Sequence, residues 1–468
     1  MMPNQKNNTP YNPAYDPWSD KTPGHGQQHA PTFWLVDAGS VPEDDGPVTQ
    51  DIDVDVAIIG SGYTGLNTAI YLANEFGIKA TILEANSVSY GCSTRNGGQA
   101  QLASGRLKRS QWVKKYGKQR ALNLHAEVQD AMNYFKHMIS DIECDADSGG
   151  HYYIAHKPRV AEALKKEIKV HNDIFGYESK FIDQQTLRNE VVNDRESFGA
   201  MFEPDGISIQ PAKLAFGYVK KARQLGVKIH TSSPVSGWET INGVHHLKTP
   251  GGVVKARKVA IATGGYTFPK IHKTVKNRLM PVLSNNMVTR VLTQEELHAI
   301  GIKTGTPLTD TRVLRHYFRL LPSNRLQIGS RSAIKGKDAP KKIYEDMLIR
   351  DLVRKFPILK GIEIEYSWWG WVDVSHDMMP RITQPNPTES VYYALGYGGN
   401  GVMYSAQAGR RMAELVAGKT LPKNVPFFDS KLPYPIAFNT IESPLFAPFR
   451  RLGQRFLYRW YEYTDERD

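Results

Sequence analysis

The sequence predicts an α/β fold in which one parallel-sheet domain is assembled from separated stretches of chain, with an α+β lobe on an antiparallel sheet inserted between them. Three observations carry this. A β-α-β pattern opens at Asp53: VDVAIIG reads as a strand, Thr64 to Phe76 as a helix with apolar Leu66, Ile70, Leu72 and Ala73, and KATILE as the next strand. Glycine-rich strand ends recur far downstream, in VAIATGG (259–265) and in LGYGGNG (395–401), which leads into a helix from Ser405 to Ala417. Between them, residues 281 to 334 read as strands broken by turns. The parallel-sheet domain is therefore expected at 50–106, 200–275 and 370–420, and the inserted lobe at 107–199 and 276–369.

The remaining elements follow in order. Residues 1–49 are rich in Pro, Asn, Asp and Gly and read as an irregular arm, which Trp18, Phe33 and Trp34 would hold against the body. Residues 107–140 and 159–175 carry apolar side chains at helical spacing, such as Val160, Ala163, Leu164 and Ile168, and are assigned to the inserted lobe. Leu214 to Leu225 is a helix and VKIHTS the strand after it. In HYFRLLPSNRLQIGS, Pro322, Ser323 and Asn324 make the turn of a strand pair. The tail, 421–468, holds a helix at 444–463 that mixes aromatics with arginines. Its expected partner is the body or a second copy of the chain rather than a membrane surface.

Composition narrows the function classes. A chain of 468 residues can bury a large core. No stretch approaches the roughly 18 uncharged apolar residues of a membrane span, and the first ten residues lack the apolar core of a secretory signal. Cys92 and Cys144 are too few and too far apart for a disulfide framework or a zinc cluster. The reading is cytoplasmic, with no metal. The net charge of +12 is scattered, with modest concentrations at 106–118 and 450–459, so it reads as a solvated basic surface and not as a nucleic-acid site.

After Ile59 come Gly60, Gly62 and Gly65, the G-x-G-x-x-G spacing of a Rossmann-like dinucleotide site. The glycines permit the tight turn, the approach of a pyrophosphate and close helix–sheet packing, and the helix start turns N–H groups toward the anion. Glu84 lies 24 residues after Gly60, near the end of the second strand. An acid there holds both ribose hydroxyls and disfavours a 2′-phosphate.

The fingerprint alone does not separate NAD from FAD. Three further motifs do: GCSTRNGGQ (91–99), VAIATGG (259–265) and GYGGNG (396–401) before a helix. With the fingerprint, these resemble the D-amino-acid-oxidase-type family of FAD-dependent oxidoreductases, from about Asp53 to about Gly418. The resemblance implies a discontinuous FAD-binding domain with a substrate domain inserted, and a set of cofactor residues. These are Gly60, Gly62, Tyr63, Thr64, Gly65, Glu84 and Ala85; Ser93, Thr94, Arg95, Asn96, Gly97, Gly98 and Gln99; Val235, Thr263 and Gly264; and Gly398, Gly399, Asn400, Gly401 and Val402. Ser93 and Thr94 can donate to phosphate, and Gly97 with Gly98 admits a flat ring. One branch attaches its flavin to a cysteine near the last glycine loop, but here no cysteine follows Cys144, so non-covalent FAD is expected.

In this family the flavin takes a hydride from the amine-bearing carbon, and the imine hydrolyses. The resemblance implies a gamma-glutamylated polyamine, or a similar secondary or extended amine, as the substrate, with oxygen or another acceptor taking the electrons. Rival readings are a dehydrogenase or oxidase of an N-substituted or D-amino acid, and an FAD-bound scaffold without catalysis. The catalytic candidates are Tyr317, Trp368, Trp369 and Tyr397. Alternation sets Tyr317 and His316 on opposite faces, with Arg315 and Arg319 on the side of Tyr317. Trp368, Trp369 and Trp371, in a W-x-G stretch that resembles the family's, line an amine pocket or pack the interlobe core, whereas Asp377 is structural. Asn400 and Met403 are expected near the ring. In one branch a lysine matches Met403 and binds substrate carboxylate, so a carboxylate directly beside the reacting carbon is less expected here. Gln327 stands where that branch has a lysine thought to activate oxygen.

Overall fold

A computed structural model of the chain describes residues 9–20, 22–303, 305–433 and 447–466. The aliphatic strand Ile52–Ile59 has its second half fully buried, as a central parallel strand requires. Thr81–Leu83 on one side and Gly252–Ile261 on the other pair with it in parallel. Beyond these lie Lys228–His230 on one edge, and Val391–Leu395 then antiparallel Arg381–Thr383 on the other. A hairpin, Gly237–Ile241 and Val244–Thr249, adds to the start of Gly252–Ile261. Sheets of this kind gather their ligands at the carboxyl ends of strands where the connections change direction.

The helices Tyr63–Phe76 and Tyr404–Val416 cross in close contact: a Cβ on Gly409 would lie 2.7 Å from Asn67 Cβ and 2.8 Å from Thr64 O. Lys118–Ile139 also packs on Tyr404–Val416, with Glu127 accepting from Arg411 Nη2 at 2.7 Å and from Gln407 Nε2 at 3.0 Å. This differs from its assignment to the inserted lobe. Ala121, Leu124, Val128 and Phe135 join the core around Leu66 and Ile70, because the amphipathic stripe meets the apolar helix pair there.

The second sheet has eight strands in the order Ile364–Ser375, Leu279–Val291, Arg325–Arg331, Tyr317–Leu320, Leu308–Asp310, His151–Ile154, Ala200–Glu203 and Lys180–Ile182. All neighbours are antiparallel except Leu308–Asp310 with His151–Ile154. The turn at 322–324 puts Asn324 at φ +57°, where an asparagine is tolerated.

The arm is more ordered than its composition suggests. Thr32 caps a short helix, Phe33–Ala38, and Trp34 is buried with its indole N–H donated to Asn96 O at 2.9 Å. Burial of that aromatic area outweighs the local preference for loop. At the other end, Ala447–Glu466 is a helix pinned through Arg451 to Asp16 at 2.7 and 2.9 Å and through Asp465 to the Val313 and Leu314 amides. Its opposite face exposes Phe456 and Trp460. Residues 444–446 of the predicted tail segment, and 1–8 of the arm, lie outside the described residues. Among the described residues, no helix is long and apolar enough to cross a membrane.

Beneath the second sheet, Lys355 is fully buried, its Nζ 3.1 Å from Asp194 and 3.3 Å from Asp310. His316 Nδ1 lies 3.0 Å from Asp310 and Arg312 Nη1 2.5 Å. Burial works to raise the Asp310 carboxyl, but Lys355, His316 and Arg312 hold it well below the ordinary carboxylate range. Lys355→Met strands two buried carboxylates, and urea melts at pH 7 are expected to show a loss of about 3–5 kcal/mol. Because the folded-state pKa of Asp310 is depressed, its contribution is complete above the unfolded carboxylate range near 4 and vanishes as pH falls through the folded value. The wild-type advantage over Lys355→Met should therefore shrink in melts carried toward pH 3, and a constant difference would contradict the assignment.

Candidate active site

The turn after Ile59 owes its shape to sterics. Gly60 has φ +104°, and a Cβ there would lie 2.7 Å from Ala262 O; one on Gly65 would lie 2.0 Å from Gly60 O. Only glycine lets the helix Tyr63–Phe76 start this close to the strand ends, with its first N–H groups at the cavity. Ser61 donates its N–H and hydroxyl to Glu84 at 3.0 and 2.7 Å, and Asn86 its N–H at 3.1 Å. Burial raises the Glu84 carboxyl, opposed by these bonds. Ser93 Oγ accepts from Tyr63 N–H at 2.9 Å, which ties the second motif to the helix start.

These pieces border one cavity of about 260 Å³ at the carboxyl ends of the parallel strands. Its wall takes Gly60, Gly62, Tyr63 and Thr64 from the first turn, Glu84 and Ala85 from the second strand end, and Ser93, Arg95, Asn96, Gly97 and Gln99 from the second motif. Val235, Thr263, Gly264 and the loop residues Tyr397, Gly399, Asn400, Gly401 and Val402 complete the nucleotide side, and Tyr317 lies across from them on the antiparallel sheet. Gly65, Thr94, Gly98 and Gly398 stand behind the wall. Gly98, at φ +68°, would put a Cβ 2.2 Å from Ile209 O, and Thr94 Oγ1 donates to Ser89 O at 3.0 Å.

Tyr317 is held firmly. Its hydroxyl lies 2.9 Å from Ser284 Oγ and donates to Asn285 O at 3.2 Å, and its ring covers Gly97, where a Cβ would come within 2.7 Å. Beside it, Gln327 donates to Asn286 Oδ1 at 2.7 Å, and Asn286 to Arg95 O at 3.1 Å. His316 faces the other way, into the Asp310 cluster, as strand alternation requires. Of the two flanking arginines only Arg315 reaches the wall; Arg319 is buried over the Trp34 ring and donates to Ile209 O at 2.7 Å. Tyr397 shares a 2.8 Å hydrogen bond with Thr64 Oγ1, and burial pushes its phenol far above the ordinary value. Met403 is buried away from the wall.

The aromatic amine pocket expected of Trp368 and Trp369 is not formed. Trp368 gives its indole N–H to Arg95 O at 2.9 Å and meets Trp34 edge-on, Trp369 gives its own to Pro13 O at 3.0 Å, and Trp371 to Tyr15 O at 2.8 Å. Their rings bind the arm and the second motif to the sheet, because an indole buried at such a junction needs a carbonyl partner. Asp377 pairs with Arg381 at 2.5 Å, a structural role. The same strand instead supplies Gly370, Val372 and Asp373 to the wall. Asp373 accepts from Gly396 N–H at 2.5 Å, and burial raises its carboxyl to about 6. Sequence reading also missed Arg106, Arg331, Ser284 and Asn286. Alternation from Tyr317 through its partner Gly329 points to Arg331, two residues on, but only with the strand register known.

Cys92 also lines the cavity; its Sγ–H is donated to Trp371 O, and burial pushes the thiol up to about 12. Cys144 is likewise raised to about 12 by burial. Native protein at pH 8 is expected to react with neither thiol within minutes of adding a chromogenic disulfide, and with both after denaturation. One equivalent of fast native thiol would contradict this.

A glycine turn with an adjacent acid, joined by two further glycine-rich strand ends and faced by an antiparallel sheet, defines the class as a dinucleotide-dependent oxidoreductase. A family model described as FAD dependent oxidoreductase (DAO) matches residues 55–415. The chain belongs to that family, and its cofactor is FAD. It is 30% identical to a probable oxidoreductase, OrdL, of Haemophilus influenzae, across 80% of this chain and 85% of the relative. It is 29% identical to the gamma-glutamylputrescine oxidoreductase of Escherichia coli K12, across 84% and 90%. Among solved structures it is similar in fold to glycine oxidase from Geobacillus kaustophilus, with TM-score 0.66 at 20% identity, covering 79% of this chain and 96% of that one.

Proposed function

We propose that the enzyme oxidises an amine at the carbon bearing nitrogen, with gamma-glutamylputrescine or a related polyamine-derived or secondary amine as substrate. The setting is the cytoplasm, and oxygen or another acceptor takes the electrons. The likeness to an enzyme named for gamma-glutamylputrescine supports the substrate class. We infer that 50–106, 200–275 and 370–420 hold the cofactor, backed by the helix Lys118–Ile139, and that a lobe drawn from the rest of 107–199 and from 276–369 covers it.

The residues of the cavity fit FAD. Gly60 and Gly62 leave room for a pyrophosphate at the helix start, and Glu84 offers acceptors for ribose hydroxyls. Val402 lies next to the start of Tyr404–Val416, whose positive end faces the cavity. FAD, when bound, supplies the hydride acceptor.

The mechanism rests on the wall's two acids among the described residues, Glu84 and Asp373, both of which are tied to backbone amides. Tyr317 and Tyr397 have phenols raised by burial, Glu84 is held by Ser61 and Asn86, and Asp373 by Gly396. The protein therefore binds the amine neutral and orients its carbon, and no side chain has to remove the C–H proton. Tyr317, fixed by Ser284, closes the cavity opposite the glycine loop and keeps water from the reacting carbon. The imine is hydrolysed after it leaves.

Anaerobic mixing of the yellow holoenzyme with gamma-glutamylputrescine is expected to bleach the flavin far faster than equal putrescine, sarcosine or D-alanine. Bleaching by the amino acids alone would overturn the substrate class, and bleaching by none would overturn the reaction. Peroxide release in air then identifies oxygen as the acceptor.

A further inference from the structure

Arg106, Arg315 and Arg331 face the cavity that also holds Tyr317 and Asn400. They arrive from three places: the loop after Gln99–Gln101, the turn before Tyr317–Leu320 and the end of Arg325–Arg331. All three are half-buried. Guanidinium groups taken out of water are usually paired with carboxylates, as Arg312, Arg411 and Arg451 are here. These three make no ion pair among the described residues. Arg106 has only a long bond to Val313 O, at 3.4 Å, and Arg315 donates to the Tyr153 hydroxyl while its Nε is buried with no partner. Arg106 and Arg331 meet adjacent residues of the last glycine loop: a Cβ on Gly398 would lie 2.9 Å from Arg106 Cγ and one on Gly399 2.9 Å from Arg331 Nη2. Burial, and the charges of Arg315 and Arg331, pull the Arg106 pKa well below the ordinary arginine range.

Nothing on the wall compensates them. Glu84 and Asp373 are its only acids among the described residues, and both are committed to backbone amides. The arrangement is nonetheless built. Asp465 accepts from the amides of Val313 and Leu314 at 2.9 and 3.3 Å, fixing the turn that leads into Arg315. Tyr458, on the same C-terminal helix, lines the adjoining cleft with Arg331. This helix lies beyond the segment matched by the family model, which ends at residue 415.

We propose that Arg106, Arg315 and Arg331 form a binding site for a carboxylate carried by the amine substrate, closed from outside by the C-terminal helix. Arginine forks suit carboxylates because two parallel N–H donors meet two oxygens. The site also rejects: an unmodified diamine brings only positive charge to three guanidiniums, whereas an amine acylated by an acid-bearing amino acid also brings a carboxylate to meet them. Gln99, Gln101 and Thr309 on the same wall offer neutral partners for the amide of such a group.

The inference rests on the amine-oxidising reading, and its test separates the two. The probe is gamma-glutamylbutylamine, which keeps the acid end and lacks the second amine; its binding to the holoenzyme is read from the flavin absorbance at equilibrium. Arg106→Gln, Arg315→Gln and Arg331→Gln are each expected to weaken it about tenfold or more, with Arg315→Lys between wild type and Arg315→Gln. Anaerobic reduction should lose kcat/KM for gamma-glutamylputrescine and hold or gain it for putrescine. Unchanged probe binding in all three variants, while gamma-glutamylputrescine still bleaches the flavin, overturns the site and leaves the reaction standing. Arginine-dependent probe binding with no bleaching by any amine upholds the site and overturns the reaction. Should a variant fail to hold flavin, glutarate is expected to displace the probe from wild type, and failure to compete counts against the site.

Discussion

The contact between the turn Gly60–Gly65 and the helix Tyr404–Val416 is where three distant parts of the chain are brought together. Gly65 sits against the carbonyl of Gly60, and Gly409 against Thr64 and Asn67, each at a distance that no side chain would allow. That approach places the loop Gly396–Gly401 over the first turn, where Tyr397 and Thr64 share a hydrogen bond across more than three hundred residues of sequence. Behind it, Glu127 and Arg411 clamp the helix to Lys118–Ile139. The cavity exists because these backbones are close and their side chains absent.

Much of this was legible in the residues. The β-α-β opening, the three glycine-rich strand ends and the discontinuous α/β architecture follow from local signals: period-two and helical patterning, and glycines at fixed offsets. Tyr317 against His316 followed from alternation alone. What failed needed tertiary information. Trp368 and Trp369 have the composition of an aromatic cage, yet their direction depends on which carbonyls lie near, and those belong to Pro13 and Arg95. The arginines of the cavity were hidden for a related reason, since Arg106 and Arg331 meet only where the tertiary fold sets both against the glycine loop at Gly398 and Gly399.

The charge of the chain has two fates. Most buried arginines end on carboxylates, as Arg411 does on Glu127 and Arg451 on Asp16, and these pairs lock elements in place. Those facing the cavity opposite the last glycine loop do not. Under the proposed function, the cavity therefore has an acid, Glu84, on the nucleotide side and an uncompensated cationic group where the substrate enters. Met403, where one branch has a carboxylate-binding lysine, fits the same proposal, in which anion recognition lies on another strand and on the turn that Asp465 holds.

Under this reading the first glycine turn, the motif 91–99 and the last glycine loop close on one flavin. Hydrogen exchange of the flavin-depleted protein, compared with the same protein after FAD is restored, tests it most directly. Amides at 60–65, 91–99 and 396–402 are expected to gain protection together, at one equivalent of FAD. Protection confined to 60–65, with the other two segments exchanging as before, would contradict it.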